Sequence, residues 1–294
     1  MRPNSPATKE TTVSDIVPTG RRIEGAAGVQ IVLDEWGRPE DPLVLFLHGG
    51  GQTRHSWKRA GSQLAGAGMR SVTVDLRGHG DSDWSPDGDY SLHSIRDDIV
   101  AVLSALGGKA TLVGASLGGL TALLVADTRP DLVTRLVLVD VVTRIEQSGS
   151  ERIRDFMQSA PEGFASLDEA ADRIAVYLPH RTRPRSTQGL RKNLRQHEDG
   201  RWHWHWDPAM FRTPPDLNPL GMAAELDAAA RRLRVPTLLL QGALSDVVSD
   251  EGVDHFRGLV PHLKVVRLDG AAHTAAADDN DAFARAVQDF VLDR

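Results

Sequence analysis

The hydrophobic positions of the chain fall into short apolar runs that alternate with stretches of helical periodicity. Residues 43–47 are apolar at every position, which is typical of a strand buried on both faces of a sheet. Alternation of such runs with helical patterns predicts an α/β fold, a mostly parallel twisted sheet flanked by helices. The predicted strands are residues 29–33, 43–47, 71–74, 111–113, 136–139, 237–240 and 265–268.

This alternation breaks between residues 141 and 234. Ser166 and Glu169 have the spacing of a capping box, which predicts a helix over residues 170–178, and many prolines follow. We interpret residues 141–234 as a helical cap inserted over one end of the sheet. The core is then predicted to comprise residues 21–140 and 235–294, and the polar residues 1–20 to be a frayed or disordered leader.

Composition narrows the class of protein. The 294 residues carry a net charge of −6 and contain no cysteine. The missing cysteine excludes thiol nucleophiles, zinc fingers and iron–sulfur sites, and the acidic balance disfavours nucleic acid and anionic membranes as partners. With neither a signal peptide nor a long apolar run, the sequence predicts a cytoplasmic protein with no membrane partner. The oligomeric state stays open, a homodimer included.

The strongest motif is Gly114-Ala115-Ser116-Leu117-Gly118, which matches G-x-S-x-G between a predicted strand and a predicted helix. A serine on such a sharp strand-to-helix turn needs small neighbours, because side chains there would collide with the backbone. The turn also places the Leu117 amide at a helix N-terminus, where it can face a developing oxyanion. We predict that Ser116 is a nucleophile.

A second glycine-rich motif, His48-Gly49-Gly50-Gly51, follows the buried strand 43–47. The glycines allow close approach to a ligand, and the Lys-Ser/Thr ending of a phosphate-binding loop is absent. Together with the serine turn, this loop predicts an oxyanion hole formed by the amides of Gly50 and Leu117.

A nucleophilic serine needs a base and an orienting acid. His273 follows the last predicted strand in a loop of small residues, and we predict that it is the base. Asp246 lies in the loop after strand 237–240 and is the predicted acid. Asp140, at the end of strand 136–139, is the alternative acid.

These motifs identify the sequence as resembling the α/β-hydrolase superfamily over residues 22–294. Gly114–Gly118 resembles its nucleophile elbow, and Asp246 and His273 resemble its acid and base. Residues 75–82 are similar to the D-x-R-G-x-G-x-S loop of the branch that holds epoxide hydrolases, haloperoxidase-like esterases and enol-lactone hydrolases. The resemblance implies that residues 141–234 are the variable cap over the catalytic serine.

Within that superfamily, epoxide hydrolases and haloalkane dehalogenases attack with a carboxylate, whereas this chain has Ser116. A serine hydroxyl suits acyl transfer, so we predict an esterase or lactonase that acts through an acyl-enzyme on a small-molecule substrate and needs no cofactor. Perhydrolysis, acyl transfer to another acceptor, epoxide hydrolysis and non-catalytic ligand binding are the alternatives.

Several residues are candidates for contact with the substrate. In an extended segment, Trp204 and Trp206 would project to one side and His203 and His205 to the other. Large apolar faces would favour a hydrophobic acyl or alcohol group, although packing of the cap on the core explains the tryptophans as well. The two histidines leave no third metal ligand in view, so no metal site is predicted. The predicted substrate-binding residues are Gly51, Trp57, Tyr177, Trp204 and Trp206.

Overall fold

The structure is a computed structural model that describes residues 17–179, 183, 186–269 and 281–292. Its strands are β1 (Thr19–Glu24), β2 (Gln30–Trp36), β3 (Leu43–Leu47), β4 (Arg70–Val74), β5 (Ala110–Ala115), β6 (Val133–Val139), β7 (Leu194–Gln196), β8 (Trp202–Trp204), β9 (Thr237–Gly242) and β10 (Leu263–Leu268). Its α-helices are α1 (Lys58–Gly66), α2 (Leu92–Leu106), α3 (Leu117–Thr128), α4 (Gln147–Met157), α5 (Leu167–Tyr177), α6 (Ala223–Arg232), α7 (Asp250–Leu259) and α8 (Asp281–Val291).

Eight of the strands form one twisted sheet in the order β1-β2-β4-β3-β5-β6-β9-β10. Strand β2 is antiparallel to both β1 and β4. The other neighbouring strands of this sheet, in the order β4-β3-β5-β6-β9-β10, pair in parallel. All seven predicted strands lie in this sheet, which confirms the predicted α/β class. The carboxyl ends of β3, β5, β6 and β9 therefore meet along one edge.

Strand β3 is apolar at every position because helices cover both faces of the sheet. In β3, the side chains of Leu43, Leu45 and Leu47 belong to one apolar layer, which includes α2, α3, α6 and α7. Val44 and Phe46 belong to the opposite layer, which includes α1 and α8. Successive strand side chains point to opposite faces, so an uninterrupted apolar run supplies both layers at once.

The structure differs from the predicted organisation at three places. Strand β1 begins at Thr19, so the end of the predicted leader pairs with β2. The insertion contains an antiparallel hairpin, β7 and β8, in addition to its helices. Helix α6 packs within the core layer of α3 through Leu226, Ala229 and Ala230, so the chain returns to the core before residue 235. We use "cap segment" below for residues 141–219.

The predicted capping box at the start of α5 is present with one change. The Ser166 hydroxyl accepts a hydrogen bond from the Glu169 amide at 3.1 Å, as the motif predicts. The Glu169 carboxylate accepts from the Ala165 amide at 2.6 Å, one residue before the serine. Both bonds satisfy amides near the helix start, and α5 consequently begins at Leu167.

A buried ion pair fixes the loop after β4 to helix α2. Two guanidinium nitrogens of Arg77 donate to the two carboxylate oxygens of Asp98 at 2.6 and 2.7 Å, and both side chains are almost fully buried. Asp98 also accepts from the Ala26 amide at 2.8 Å. This pair anchors the turn at residues 77–81, which contacts the candidate site described below.

We expect Asp98→Ala to lower the free energy of unfolding by about 3–5 kcal/mol, because it leaves the Arg77 guanidinium buried without a counter-charge. Urea denaturation measures the change. Asp97→Ala is the matched control: its carboxylate is half exposed and pairs with Arg96 at the surface, so the loss there is below about 1 kcal/mol. Equal losses in the two variants would contradict this account.

Candidate active site

Ser116 occupies a strained turn between β5 and α3. Its backbone has φ 47° and ψ −118°, in the left-handed region that non-glycine residues seldom occupy. A side chain at Gly114 would collide with the Gly118 carbonyl, and one at Gly118 would collide with the Leu47 carbonyl. The glycines are therefore required by close backbone packing, and the turn presents Ser116 at the carboxyl edge of the sheet.

The turn leaves a hydrogen-bond donor beside the serine. Leu117 is the first residue of α3, so its amide has no acceptor within the helix. The Ser116 side chain does not cap the helix. The amide of Leu117 and the positive end of the helix dipole are thus available to a developing negative charge.

The loop at residues 49–51 lies directly against Ser116. A β-carbon built on Gly49 would lie 3.4 Å from the Ser116 β-carbon. The Gly49 amide donates to Gln52 Oε1 at 3.2 Å, and the Gly51 amide donates to His79 Nε2 at 3.1 Å. Within the described residues, the Gly50 amide is the one in this loop that has no acceptor. We call residues 49–51 the oxyanion loop, after the role that the sequence predicts for them.

The predicted base, His273, lies outside the described residues. Nine of the eleven histidines are described, and none of these nine is hydrogen-bonded to the Ser116 hydroxyl. Instead, His93 faces Glu225, His255 faces Asp227 and His262 faces the Val235 carbonyl. Other histidines are held within the loops or the cap segment. His273 therefore stays the predicted base.

The two candidate acids differ in their surroundings. Asp140 directly follows β6 and is completely buried, with its carboxylate accepting from the Gly242 amide at 2.8 Å and the Ser245 hydroxyl at 2.6 Å. The preceding carbonyl, of Val139, accepts from the Ser116 amide at 3.3 Å. Asp140 is thus anchored next to the Ser116 turn.

Asp246, the predicted acid, contacts the cap segment. Its carboxylate accepts from Arg152 Nε at 2.7 Å and is 38% exposed. The guanidinium of Arg152 also lies 5.0 Å from the centre of the Tyr177 ring. Helix α4 packs tightly on this loop: Gly149 lies so close to the Asp246 carbonyl that a side chain at this position would collide with it. In the described structure Asp246 therefore ties α4 to the core.

A cavity of about 460 Å³ lies between Ser116 and the cap segment. Its wall beside the oxyanion loop consists of Met157 and Trp206, both within 3.3 Å of where a β-carbon of Gly51 would lie. Tyr177, Phe156, Trp204 and Trp206 form a series of ring contacts along the wall, with adjacent centroids 4.0 to 5.4 Å apart. The cavity is therefore largely apolar and aromatic.

Four of the five predicted substrate-binding residues line this cavity, namely Gly51, Tyr177, Trp204 and Trp206. Trp57 does not line the cavity, so the prediction that it contacts the substrate is wrong. Its side chain is fully buried, with ring centroids 5.3 Å from Phe46 and 5.8 Å from Phe283. Trp57 is a core residue of the layer under α1 and α8.

Sequence reasoning missed the contribution of α4 to the cavity. Ile153, Phe156 and Met157 of this helix face the cavity. Their spacing of three and four residues is a helical apolar stripe, so the signal was present in the sequence. Such a stripe reveals a buried face without revealing whether protein or ligand covers it.

Other kinds of site find no support in the described part of the chain. No group of three or more histidine, aspartate or glutamate side chains there is arranged to hold a metal ion. No described helix is both long and apolar enough to cross a membrane.

Comparison with known proteins agrees with the fold. A family model for the α/β-hydrolase fold matches residues 42–279. The esterase Rv0045c of Mycobacterium tuberculosis is 32% identical over 287 residues, which is 95% of this chain and 91% of the relative. The 3-hydroxybutyrate-oligomer hydrolase of Cupriavidus necator is 29% identical over 270 residues, or 87% of this chain and 91% of that enzyme.

Solved structures give the same result. A structure of the M. tuberculosis esterase aligns with a TM-score of 0.75 at 32% identity and covers 95% of this chain and 93% of the other. An α/β hydrolase from Novosphingobium aromaticivorans aligns with a TM-score of 0.80, at 24% identity and with 94% and 98% coverage, which supports the fold alone. Since the family model spans most of the chain and a relative above 30% identity spans nearly all of it, this chain belongs to the α/β-hydrolase fold family.

Proposed function

We propose that this protein is a serine hydrolase that cleaves carboxylic esters through an acyl-enzyme on Ser116. One observation carries the proposal: the strained serine lies against the oxyanion loop, and the amides of Leu117 and Gly50 have no acceptor among the described residues. The similarity to an esterase over 95% of the chain supports the same reaction class.

In this mechanism the Ser116 hydroxyl attacks the ester carbonyl while His273 takes its proton. The carbonyl oxygen becomes negatively charged and is stabilised by the Gly50 and Leu117 amides and the N-terminus of α3. The protonated histidine then gives its proton to the leaving alcohol, and the acyl-enzyme forms. Water activated by the same histidine releases the acid.

For the acid that orients His273, the surroundings favour Asp140 over Asp246. An orienting carboxylate works best when it is buried and rigidly hydrogen-bonded. Asp140 meets both conditions, whereas Asp246 is partly exposed and engaged by Arg152. Both aspartates follow strands that end at the same sheet edge. Both also lie between Ser116 and His273 in the sequence, so the chain order Ser, Asp, His holds for either one.

The cavity supports a hydrophobic substrate. The surface nearest the oxyanion loop is formed by Met157 and Trp206, so a group bound beside the reacting carbonyl contacts apolar atoms. A cavity of about 460 Å³ has room for a medium-sized acyl or aryl group. A lactone with an apolar substituent would satisfy the same walls.

We expect Ser116→Ala to lower kcat for a p-nitrophenyl ester by at least about 10³-fold, because no other group replaces the attacking oxygen. Circular dichroism and Tm should be unchanged, and a fluorophosphonate should label the wild type but not the variant. Ser104→Ala, on the outer surface of α2, is the control and should keep full activity. Undiminished turnover by Ser116→Ala would remove Ser116 from the mechanism. A wild type that neither labels nor turns over any ester would favour ligand binding alone.

Substituting each aspartate separately distinguishes the two acids. We expect Asp140→Asn to lower kcat by about 10³- to 10⁴-fold, because an amide no longer stabilises the imidazolium. Asp246→Asn should change kcat by less than about tenfold, since it loses mainly the Arg152 contact. Steady-state kinetics on one ester decides the question, and the opposite ranking would restore Asp246 as the acid.

The apolar wall predicts a preference for longer chains. From acetyl to hexanoyl p-nitrophenyl esters we expect kcat/KM to rise, with about 0.8 kcal/mol per buried methylene as the upper limit. Met157→Ala should weaken that preference by about three- to tenfold, because it removes apolar contact beside the oxyanion loop. Val176→Ala is the control, since this side chain is 75% exposed on α5. An unchanged chain-length preference in Met157→Ala would place the acyl group elsewhere.

A further inference from the structure

A row of three buried histidine rings lies beside the oxyanion loop. His48 directly precedes the loop, His79 comes from the turn at residues 77–81, and His205 comes from the cap segment. The ring centroids of His48 and His79 are 5.0 Å apart, and those of His79 and His205 are 5.9 Å apart. Each side chain is at most 2% exposed. The core histidines alone do not complete this row, because its last ring belongs to the cap.

We propose that His205 is a positioning residue through which the cap segment holds the oxyanion loop in its reactive conformation. The proposal rests on the proposed function, because it takes Gly50 as an oxyanion donor. It assigns to a cap side chain a part in the geometry of the reaction, in addition to the shape of the pocket.

The hydrogen bonds determine the proton position on each ring. His205 Nδ1 accepts from the Gly80 amide at 2.7 Å, so its proton is on Nε2, which lies 3.4 Å from the Gly51 carbonyl. His79 Nε2 accepts from the Gly51 amide, and its Nδ1 donates to the Arg77 carbonyl at 3.0 Å. Both polar groups of Gly51 therefore face a histidine, one from the core and one from the cap.

On its other side the loop is held by His48 and Gln52. His48 Nδ1 donates to the Gly49 carbonyl at 2.8 Å, and its Nε2 accepts from the Leu76 amide at 3.0 Å. Gln52 accepts from the Gly49 amide. With Gly49 and Gly51 both held, the orientation of the Gly50 amide between them is determined.

The three glycines of the oxyanion loop explain why neighbouring side chains must hold it. A loop of three successive glycines loses more conformational freedom on ordering than any other sequence, and its own side chains cannot hold it. A displacement of about 1 Å in a catalytic group can cost about 10²-fold in rate. The stabilising contacts must therefore come from neighbouring side chains.

His205 is itself held firmly on the core. Arg195 donates to the Gly80 carbonyl at 3.0 Å, and the Asp207 amide donates to the Gly78 carbonyl at 3.0 Å. The buried Tyr90 hydroxyl donates to the Asp207 carboxylate at 2.5 Å. Arg195 and Asp207, which lie before and after His205 in the sequence, thus attach this part of the cap segment to the turn that carries His79.

The three rings can accept hydrogen bonds from backbone amides only while they are neutral. Burial lowers the pKa of His48 to about 4 and that of His79 to about 3, and it holds the pKa of His205 well below its ordinary value. At neutral pH all three rings are therefore uncharged, as their hydrogen bonds require.

Two amide substitutions separate the two contacts of His205. In His205→Asn the side-chain oxygen replaces Nδ1 and keeps the Gly80 contact, but it is too short to reach Gly51. In His205→Gln the side-chain amide reaches the position of Nε2 and keeps the donor to Gly51. Both variants lose the ring, so a general packing defect affects them alike.

We expect His205→Asn to lower kcat by about 10- to 100-fold with KM changed less than threefold, and His205→Gln to stay within about threefold of wild-type kcat. Hydrogen exchange of the peptide that contains residues 49–51 should accelerate in His205→Asn alone. The matched control is His203→Asn, whose ring stacks on His197 at 4.1 Å, away from the loop. It should match the wild type in both measurements.

Equal kcat in the asparagine and glutamine variants, whether at the wild-type level or reduced, would overturn the proposal. Failure of the proposed function would look different, because the wild type itself would then hydrolyse no ester and bind no fluorophosphonate. Hydrogen exchange still decides in that case: unchanged exchange at residues 49–51 in His205→Asn rejects the positioning role.

Discussion

The site depends on one close approach, between the start of α3 and the end of β3. Gly118 lies so near the Leu47 and His48 carbonyls that no side chain fits between them. This contact brings the Ser116 turn against the oxyanion loop, although the two are separated by more than sixty residues in sequence. Parallel pairing of β3 and β5 sets the distance, because both strands end at the same edge.

Two residues at strand ends beside this contact have strained backbone. Ser116 and Asp140 both have positive φ, 47° and 48°, at the ends of adjacent strands β5 and β6. Each such residue costs about 1–3 kcal/mol and persists only where its surroundings determine it. Here the apolar layers on both faces of the sheet hold the strand ends in place. Burial of apolar side chains in these layers therefore offsets the conformational free energy of the two strained residues.

The sequence predicted the features that depend on local backbone chemistry. The G-x-S-x-G turn was identifiable because only glycine tolerates its close backbone approaches. The glycine loop was identifiable because it directly follows a buried strand, and uninterrupted apolar runs identified central strands. Features that depend on which surface covers a side chain were not identifiable. Trp57 and Trp204 look alike in sequence, yet one packs in the core and the other lines the cavity.

The choice of acid illustrates the same limit. Two aspartates follow strands at the same sheet edge, and the sequence favoured Asp246 because an aspartate at the very end of a strand, such as Asp140, commonly caps the following turn. The structure adds that Arg152, from the cap segment, engages Asp246, while Asp140 is hydrogen-bonded by Gly242 and Ser245. A side-chain partner contributed by another part of the chain cannot be inferred from the strand that precedes it.

The cap segment therefore contacts the core in two ways, one apolar and the other through hydrogen bonds. Its aromatic side chains and α4 shape the cavity through apolar contact, which tolerates substitution as long as volume is kept. His205 contacts backbone groups of the core through directional hydrogen bonds, which tolerate little displacement. Changes in the first set would alter which substrates fit, whereas changes in the second would alter how well any substrate reacts.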